Sequence, residues 1–228
     1  MWQKALLAQP SHPSGCMAWV TGALREFFPF ERVFMAHGML VAGEITITHW
    51  QAHGHDTRYL EQQALTFELE RRGALAWWLA NRQPFLIAPD DPPPCATQFE
   101  LDEIREFDLR NVAAHGILNL KANAGTYFSF SGLPSPLSNW HLDALRVLTP
   151  VLNDLYLAQL ADTDVISKVM KHLTLRQREI ARRVVAGHND KEISRDLGIA
   201  LQTVRNQLST IYQRLEVKSR AQLIDLLR

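Results

Sequence analysis

The chain has 228 residues, 46% hydrophobic and 21% charged, with 24 basic and 24 acidic side chains and a formal net charge of zero. That is ordinary globular composition, enough for one large domain or two smaller ones. No apolar run approaches the ~20 residues of a membrane span. Two distant cysteines, Cys16 and Cys95, offer no disulfide framework. The polar, Pro-broken start MWQKALLAQPSHPSG does not read as a secretory signal, so a cytoplasmic location is expected.

Met17 to Phe28 reads as a short amphipathic helix that ends before Pro29. Arg32 to Leu40 and Glu44 to Gln51 read as strands joined by a turn at Val41–Gly43. In the second, Ile45, Ile47 and His49 alternate with Thr46, Thr48 and Trp50. Asp56 or Thr57 caps an expected helix from Arg58 to Arg71. A further helix, Ala74 to Asn81, carries Trp77 and Trp78. Phe85 to Ala88 is a short strand closed by the loop PDDPPP. After a helical piece at Leu101 to Glu106, Asn111 to Leu118 and Gly125 to Phe130 pair as strands. Gly132 to Ser138 is a loop. A long helix then runs from Ser138 or Asn139 through Leu160, with Leu142, Leu145, Leu148, Leu152 and Leu155 as an apolar stripe. Pro150 inside it is expected to kink or divide it. Five short strands interleaved with helices predict an α+β domain, an antiparallel sheet with helices packed on it.

The charge is unevenly distributed. Residues 171–228 hold 12 Lys and Arg against 6 Asp and Glu, a net +6, and residues 1–170 carry a net −6. A small basic end suits phosphate. We therefore expect an α+β regulatory and dimerisation domain at 1–162, a linker at 163–170, and an all-α helix-turn-helix domain at 171–228.

In the basic segment, Thr174 and Gln177 fit a capping box. Gly187 ends that helix, and Asn189 or Asp190 caps the next, where Ile193 and Leu197 face inward. Gly198 makes a tight turn. Beyond it Val204, Leu208, Ile211 and Leu215 share one helix side, while Gln202, Arg205, Asn206 and Ser209 share the other. Val217 to Arg220 is a turn and Ala221 to Leu227 a last helix. A short helix, a tight turn and a helix with a polar, positive outer face describe a helix-turn-helix.

The stretch LTLRQREIARRVVAGHNDKEISRDLGIALQTVRNQLSTIYQRLEVKSRAQLIDLL resembles the LuxR/FixJ-type (GerE-like) DNA-binding domain over residues 173–227. The landmarks are Leu173-Thr174, Arg176, Glu179, Gly187, Lys191-Glu192-Ile193, Leu197-Gly198-Ile199, Thr203-Val204, Ile211, Leu215, Val217 and Ser219-Arg220. Four positions depart from the pattern: Leu175 for Pro, Ser194 for Ala, Ala200 for a capping Ser, and Gln207 for His. The resemblance implies base readout by Arg205, Asn206 and Ser209, with Arg205 suited to a guanine edge. It implies phosphate contacts from Lys191, Thr203, Gln207, Thr210 and Lys218. The partners it implies are double-stranded DNA, a second copy of the chain and RNA polymerase.

The first part of the chain lacks a phosphoreceiver's upstream acidic pair, although Phe85 to Asp91 offers an Asp after a strand. It also lacks the acyl-homoserine-lactone signature, since Trp50 is followed by Gly54 rather than by Tyr. Its layout is similar to GAF-like and autoinducer-like domains, with His115 to Gly132 as the sheet hairpin. The whole architecture resembles regulators associated with exopolysaccharide gene clusters (EpsA-like). If a ligand pocket exists, Trp50, Tyr59, Trp77, Trp78, Phe85, Tyr127 and Phe128 are its candidate lining, the alternative being that they are core. His49, His53 and His55 have metal-like spacing, but no metal is assigned to them. No catalytic constellation and no cofactor motif stands out. The expected function is sequence-specific transcription control by a dimer. Whether the first domain senses a small molecule, or only binds another protein, stays open at this point.

Overall fold

A computed structural model describes residues 9–10, 15–41, 44–62, 66–67 and 69–227. Two of the expected turn residues, Ala42 and Gly43, and most of the polar start lie outside them. The chain divides into two compact units, Met1–Gln159 and Leu160–Arg228.

The first unit opens with α1 (residues 16–27), a helix whose middle, Val20–Leu24, widens into a π turn. There the Thr21 hydroxyl donates to the Met17 carbonyl at 2.9 Å, competing with the helix's own ladder. Next come β1 (Arg32–Val41), β2 (Glu44–His53), α2 (Thr57–Gln62) and β3 (Thr66–Phe67). After a single 3-10 turn, Leu69–Arg71, follow α3 (Gly73–Asn81), β4 (Phe85–Ile87), α4 (Gln98–Glu106), β5 (Asn111–Asn119), β6 (Ala124–Leu133) and α5 (Asn139–Lys171). The strands form one antiparallel sheet in the order β3-β2-β1-β6-β5-β4. The α+β expectation therefore holds. The helix expected over Arg58 to Arg71 does not: it stops at Gln62, and Thr66–Phe67 instead pairs with Ile45 and Thr46 at the sheet edge.

A bulge corrects the reading of β2. His37 pairs with His49 but Gly38 pairs with Ile47, so Thr48 is an extra residue. Past it the period-two phase flips. Ile45 and Ile47 share a face with Trp50 and Ala52, not with His49. Two faces of the sheet result. On one, Phe34, Ala36 and Ile47 gather with Ala52 and Leu60. The larger cluster of Tyr59, Leu75, Trp78, Phe85, Ile104, Val112 and Ala114 also forms on this side, under α2, α3 and α4. The other face is covered by α1 and α5. There Phe28 packs edge-on to Phe130 at 5.2 Å, and Phe128 meets Tyr156 at 6.0 Å.

The α5 stripe is spent on this packing. Leu145, Leu148 and Leu152 are fully buried. Their place on the solvent side is taken by Trp140, Val147 and Leu157. α5 is one helix through Pro150 to Lys171, past the expected end at Leu160. Pro150 is exposed, so its missing hydrogen bond falls on the wet side. Among the described residues no helix is long and apolar enough to cross a membrane.

The second unit holds the C-terminal end of α5, then α6 (Leu175–Val185), α7 (Asp190–Leu197), α8 (Leu201–Arg214) and α9 (Arg220–Leu227). Its core is Leu173, Ile180, Val184, Ile193, Val204, Leu208, Ile211, Leu223 and Leu227.

Candidate functional site

Local chemistry sets each helix of the second unit. Thr174 accepts from the Gln177 N–H, and Gln177 accepts from the Thr174 N–H, completing a capping box on α6. Asn189 and Glu192 do the same for α7. Gly198, at φ +62°, closes α7 in the left-handed region that suits glycine. The Ser194 hydroxyl donates to the Ile199 carbonyl at 2.6 Å and holds the turn. α8 starts at Ala200 without a side-chain cap.

The turn aims α8 outward. Val204, Leu208 and Ile211 are buried against α6 and α7, which leaves Gln202, Thr203, Arg205, Asn206 and Ser209 exposed on one ridge. Arg205, Ser209 and Lys191 line one open groove with Asn189, Asp190, Leu201, Tyr212 and Arg220. Asp190 is the acidic centre of that groove. Its Oδ1 takes the Arg220 guanidinium at 2.9 Å, and its Oδ2 lies 3.9 Å from Arg205 Nε. Arg220 also donates to the His188 carbonyl.

The other expected phosphate donors differ in position. Lys191, Thr203 and Lys218 are exposed. The Thr210 hydroxyl donates to the Asn206 carbonyl at 3.1 Å. Gln207 is half-buried, and its Oε1 accepts from Gln177 Nε2 at 3.1 Å, while its own amide N–H groups can donate to a ligand. Gln177 is a hub that the residue pattern showed only as a cap. It is buried, and its Oε1 also accepts from Arg214 at 2.8 Å, fixing α8 to α6.

The first unit holds a cavity of about 160 Å³ between the sheet and α2, α3 and α4. It reaches the surface near Met39, Leu40 and Leu120, all exposed. Tyr59, Trp78, Phe85 and Tyr127 line it; Trp50, Trp77 and Phe128 do not. Strand geometry explains the split at β6. Tyr127 and Phe128 are adjacent, so they point to opposite faces, and Phe128 is core against α5. Trp50 is exposed and stacks on Phe34. Trp77 packs beside the core cluster. Trp78 fits because β5 has Gly116 beneath it, where a Cβ would come within 2.7 Å of the indole.

Polar groups at the cavity were not among the expected residues. Arg72 and Glu103 form a two-pronged ion pair at 2.8 and 3.0 Å, with 14% and 10% of their side chains exposed. Glu100, also buried, accepts from the Ala74 and Thr97 N–H groups, tying the starts of α3 and α4 together. Burial, with Arg32 and His53 nearby, pushes His55 down to about 4. Burial raises the Tyr59 and Tyr127 phenols. The Thr97–Glu100 box is readable as a motif. The Arg72–Glu103 pair spans 31 residues and has no local signal. Among the described residues no group of three His, Cys, Asp or Glu is placed to hold a metal, and His49, His53 and His55 do not converge.

Residues 171–227 match the family described as "Bacterial regulatory proteins, luxR family". The Escherichia coli (strain K12) protein YhjB is 49% identical over 55 residues, 24% of this chain and 28% of that one. The spore germination protein GerE of Bacillus subtilis (strain 168) is 44% identical over 57 residues, 25% of this chain and 77% of GerE. The match thus spans under a third of YhjB but most of GerE. Among solved structures, the N-acylhomoserine-lactone-dependent LuxR-family transcription factor CepR2 of Burkholderia cenocepacia aligns over 70% of this chain and 92% of its own. Its TM-score is 0.50 at 12% identity, a likeness of fold.

Proposed function

We propose that this chain, whose residues 171–227 are a LuxR/GerE-type helix-turn-helix domain, is a sequence-specific DNA-binding transcription regulator. The observation that carries the reading is the outward ridge of α8, with Arg205, Asn206 and Ser209 exposed beside the exposed Lys191. In this reading α8 enters the major groove. Arg205 bonds a guanine edge, Asn206 reads an adenine, and Ser209 completes the base contacts. Lys191, Thr203, Thr210 and Lys218 hold phosphates, and Gln207 offers its amide N–H groups. The net +6 of residues 171–228 supports the phosphate role.

The protein acts as a cytoplasmic homodimer on paired half-sites, with RNA polymerase reading out its presence at a promoter. The exposed Trp140, Val147 and Leu157 of α5 are the candidate dimer surface. The first unit is a sensory domain, a role favoured by its lined and open cavity over a pure protein-interaction role. We assign it no catalytic step. The resemblance to regulators of exopolysaccharide gene clusters makes such operons the first targets to test.

The test is selection of duplexes from a random library by the full chain. Enrichment of one motif with two half-sites about a helical turn apart supports the reading. Retention of DNA without any enriched motif contradicts it.

A further inference from the structure

The cavity of the first unit is selective in size, charge and hydrogen bonding. Its volume of about 160 Å³ is close to that of an engineered apolar cavity that binds benzene, which bounds an occupant at roughly six to ten non-hydrogen atoms. Its walls are rings and branched chains, among them Phe34, Leu75, Trp78 and Phe85. Trp78 and Tyr127 stand edge-to-face at 5.4 Å, an arrangement that continues onto a third ring.

The charged groups at the polar end are already engaged. Arg72 is held by Glu103, and Glu100 is held by the Ala74 and Thr97 N–H groups. Of the charged residues that line the cavity, Glu100 and Glu103 are carboxylates and Arg72 is a guanidinium, so the lining disfavours an anion. Uncharged polar groups remain, among them the Ser131 hydroxyl, which lines the cavity and is buried without a hydrogen-bond partner. Both ring nitrogens of His55 are buried and without a hydrogen-bond partner. The His55 ring stacks flat on Tyr59 at 4.6 Å. The Tyr59 and Tyr127 side chains also line the cavity, Tyr59 buried and Tyr127 half-buried. Buried polar atoms left unpaired are unfavourable, and a ligand that supplies partners relieves them. His55 is held neutral near pH 7, so it can accept or donate one bond without adding charge.

From this geometry we propose that the cavity binds a compact, uncharged, single-ring molecule bearing a carbonyl or hydroxyl group. The carbonyl or hydroxyl meets Tyr127, Tyr59 and His55, and the ring lies between Phe34, Trp78 and Phe85. This deepens, and rests on, the reading of the first unit as sensory.

The test uses two probes of nearly equal size, acetophenone and benzoate, titrated calorimetrically into the full chain near pH 7. Acetophenone is expected to bind saturably and benzoate is not. Tyr127→Phe, which removes one hydroxyl only, is expected to weaken acetophenone by about fivefold or more. Leu75→Trp, which fills the cavity from the helix side, is expected to abolish binding. Urea unfolding of both variants checks that they fold. Benzoate binding as tightly as acetophenone overturns the proposal, and so does acetophenone binding that neither variant alters. The same preparations are titrated with a selected DNA duplex. Intact DNA selectivity without acetophenone binding overturns the ligand class and leaves the DNA-binding reading standing. Acetophenone binding without DNA selectivity supports the ligand class and contradicts the DNA-binding reading.

Discussion

Asp190 and Arg205 meet across the groove beside α8. The carboxylate Oδ2 lies 3.9 Å from Arg205 Nε, while Oδ1 takes Arg220 at 2.9 Å. Arg205 has 58% of its side chain exposed, so the contact orients the guanidinium without withdrawing it from solvent. An acidic side chain at the first position of α7 also suits the positive end of that helix. In the proposed DNA-binding reading, the same carboxylate repels phosphate and so favours a duplex that offers Arg205 a good base edge over one that offers only backbone.

Asp190→Asn removes that repulsion and loosens Arg205. The variant is expected to bind random duplex several-fold more tightly and to lose selectivity, measured as the ratio of affinities for selected and random duplex. An unchanged ratio contradicts the positioning role.

Gln177 joins α6 to α8 through Gln207 and Arg214 and caps α6 through Thr174. Gln177→Ala loses the return half of the capping box and the hydrogen bonds that tie Gln207 and Arg214 of α8 to α6. The expected cost is about 1–3 kcal/mol for the second unit, read from its urea midpoint. A loss within about 0.5 kcal/mol, the range of ordinary surface substitutions, counts against the hub.

The Arg72–Glu103 pair is largely shielded from solvent, so removing Arg72 takes the two-pronged partner from the Glu103 carboxylate. Arg72→Met is expected to cost the first unit about 3 kcal/mol, and adding Glu103→Leu is expected to recover much of it. A double variant no better than the single one shows that the two charges do not depend on each other.

His55 and His115 are both pushed down to about 4, His55 by burial and then Arg32 and His53, His115 by burial and then Arg146. In the unfolded chain each returns to about 6.5. Between about pH 6.5 and pH 4 the unfolded chain therefore binds protons that the folded chain refuses. The stability of the first unit is full above that window, falls as pH drops through it, and levels off below it. His115 has a specific reason to stay neutral, since its Nδ1 accepts from Trp78 Nε1 at 3.2 Å. The urea midpoint is expected to be lower at about pH 5 than at about pH 7.5, and by less in His115→Gln. An equal pH difference in that variant contradicts the assignment.

What was legible in the chain was local. The Thr174–Gln177 box, the cap of α7, which falls to Asn189 rather than Asp190, the Gly198 turn and the four-three spacing of Val204, Leu208 and Ile211 all act within a turn or two, and all stand. The uncapped start at Ala200 does too. The strand periods were legible until a non-local event intervened. The Thr48 bulge depends on which residue of β1 faces which of β2. The sequence pattern extends the helix over residues 66–67 because pairing at a sheet edge leaves little mark on two residues. Aromatic character groups Tyr127 with Phe128, whereas strand alternation separates them. The polar end of the cavity joins Arg72 to Glu103 across 31 residues, a meeting that only the packing of α3 and α4 against the sheet creates.

The most direct measurement is fluorescence anisotropy of the full chain on its selected duplex and on a random duplex, with and without Arg205→Ala. If α8 reads bases, the variant loses affinity for the selected duplex by ~1–3 kcal/mol and binds the random duplex nearly as before. Unchanged affinity for the selected duplex contradicts base readout by α8.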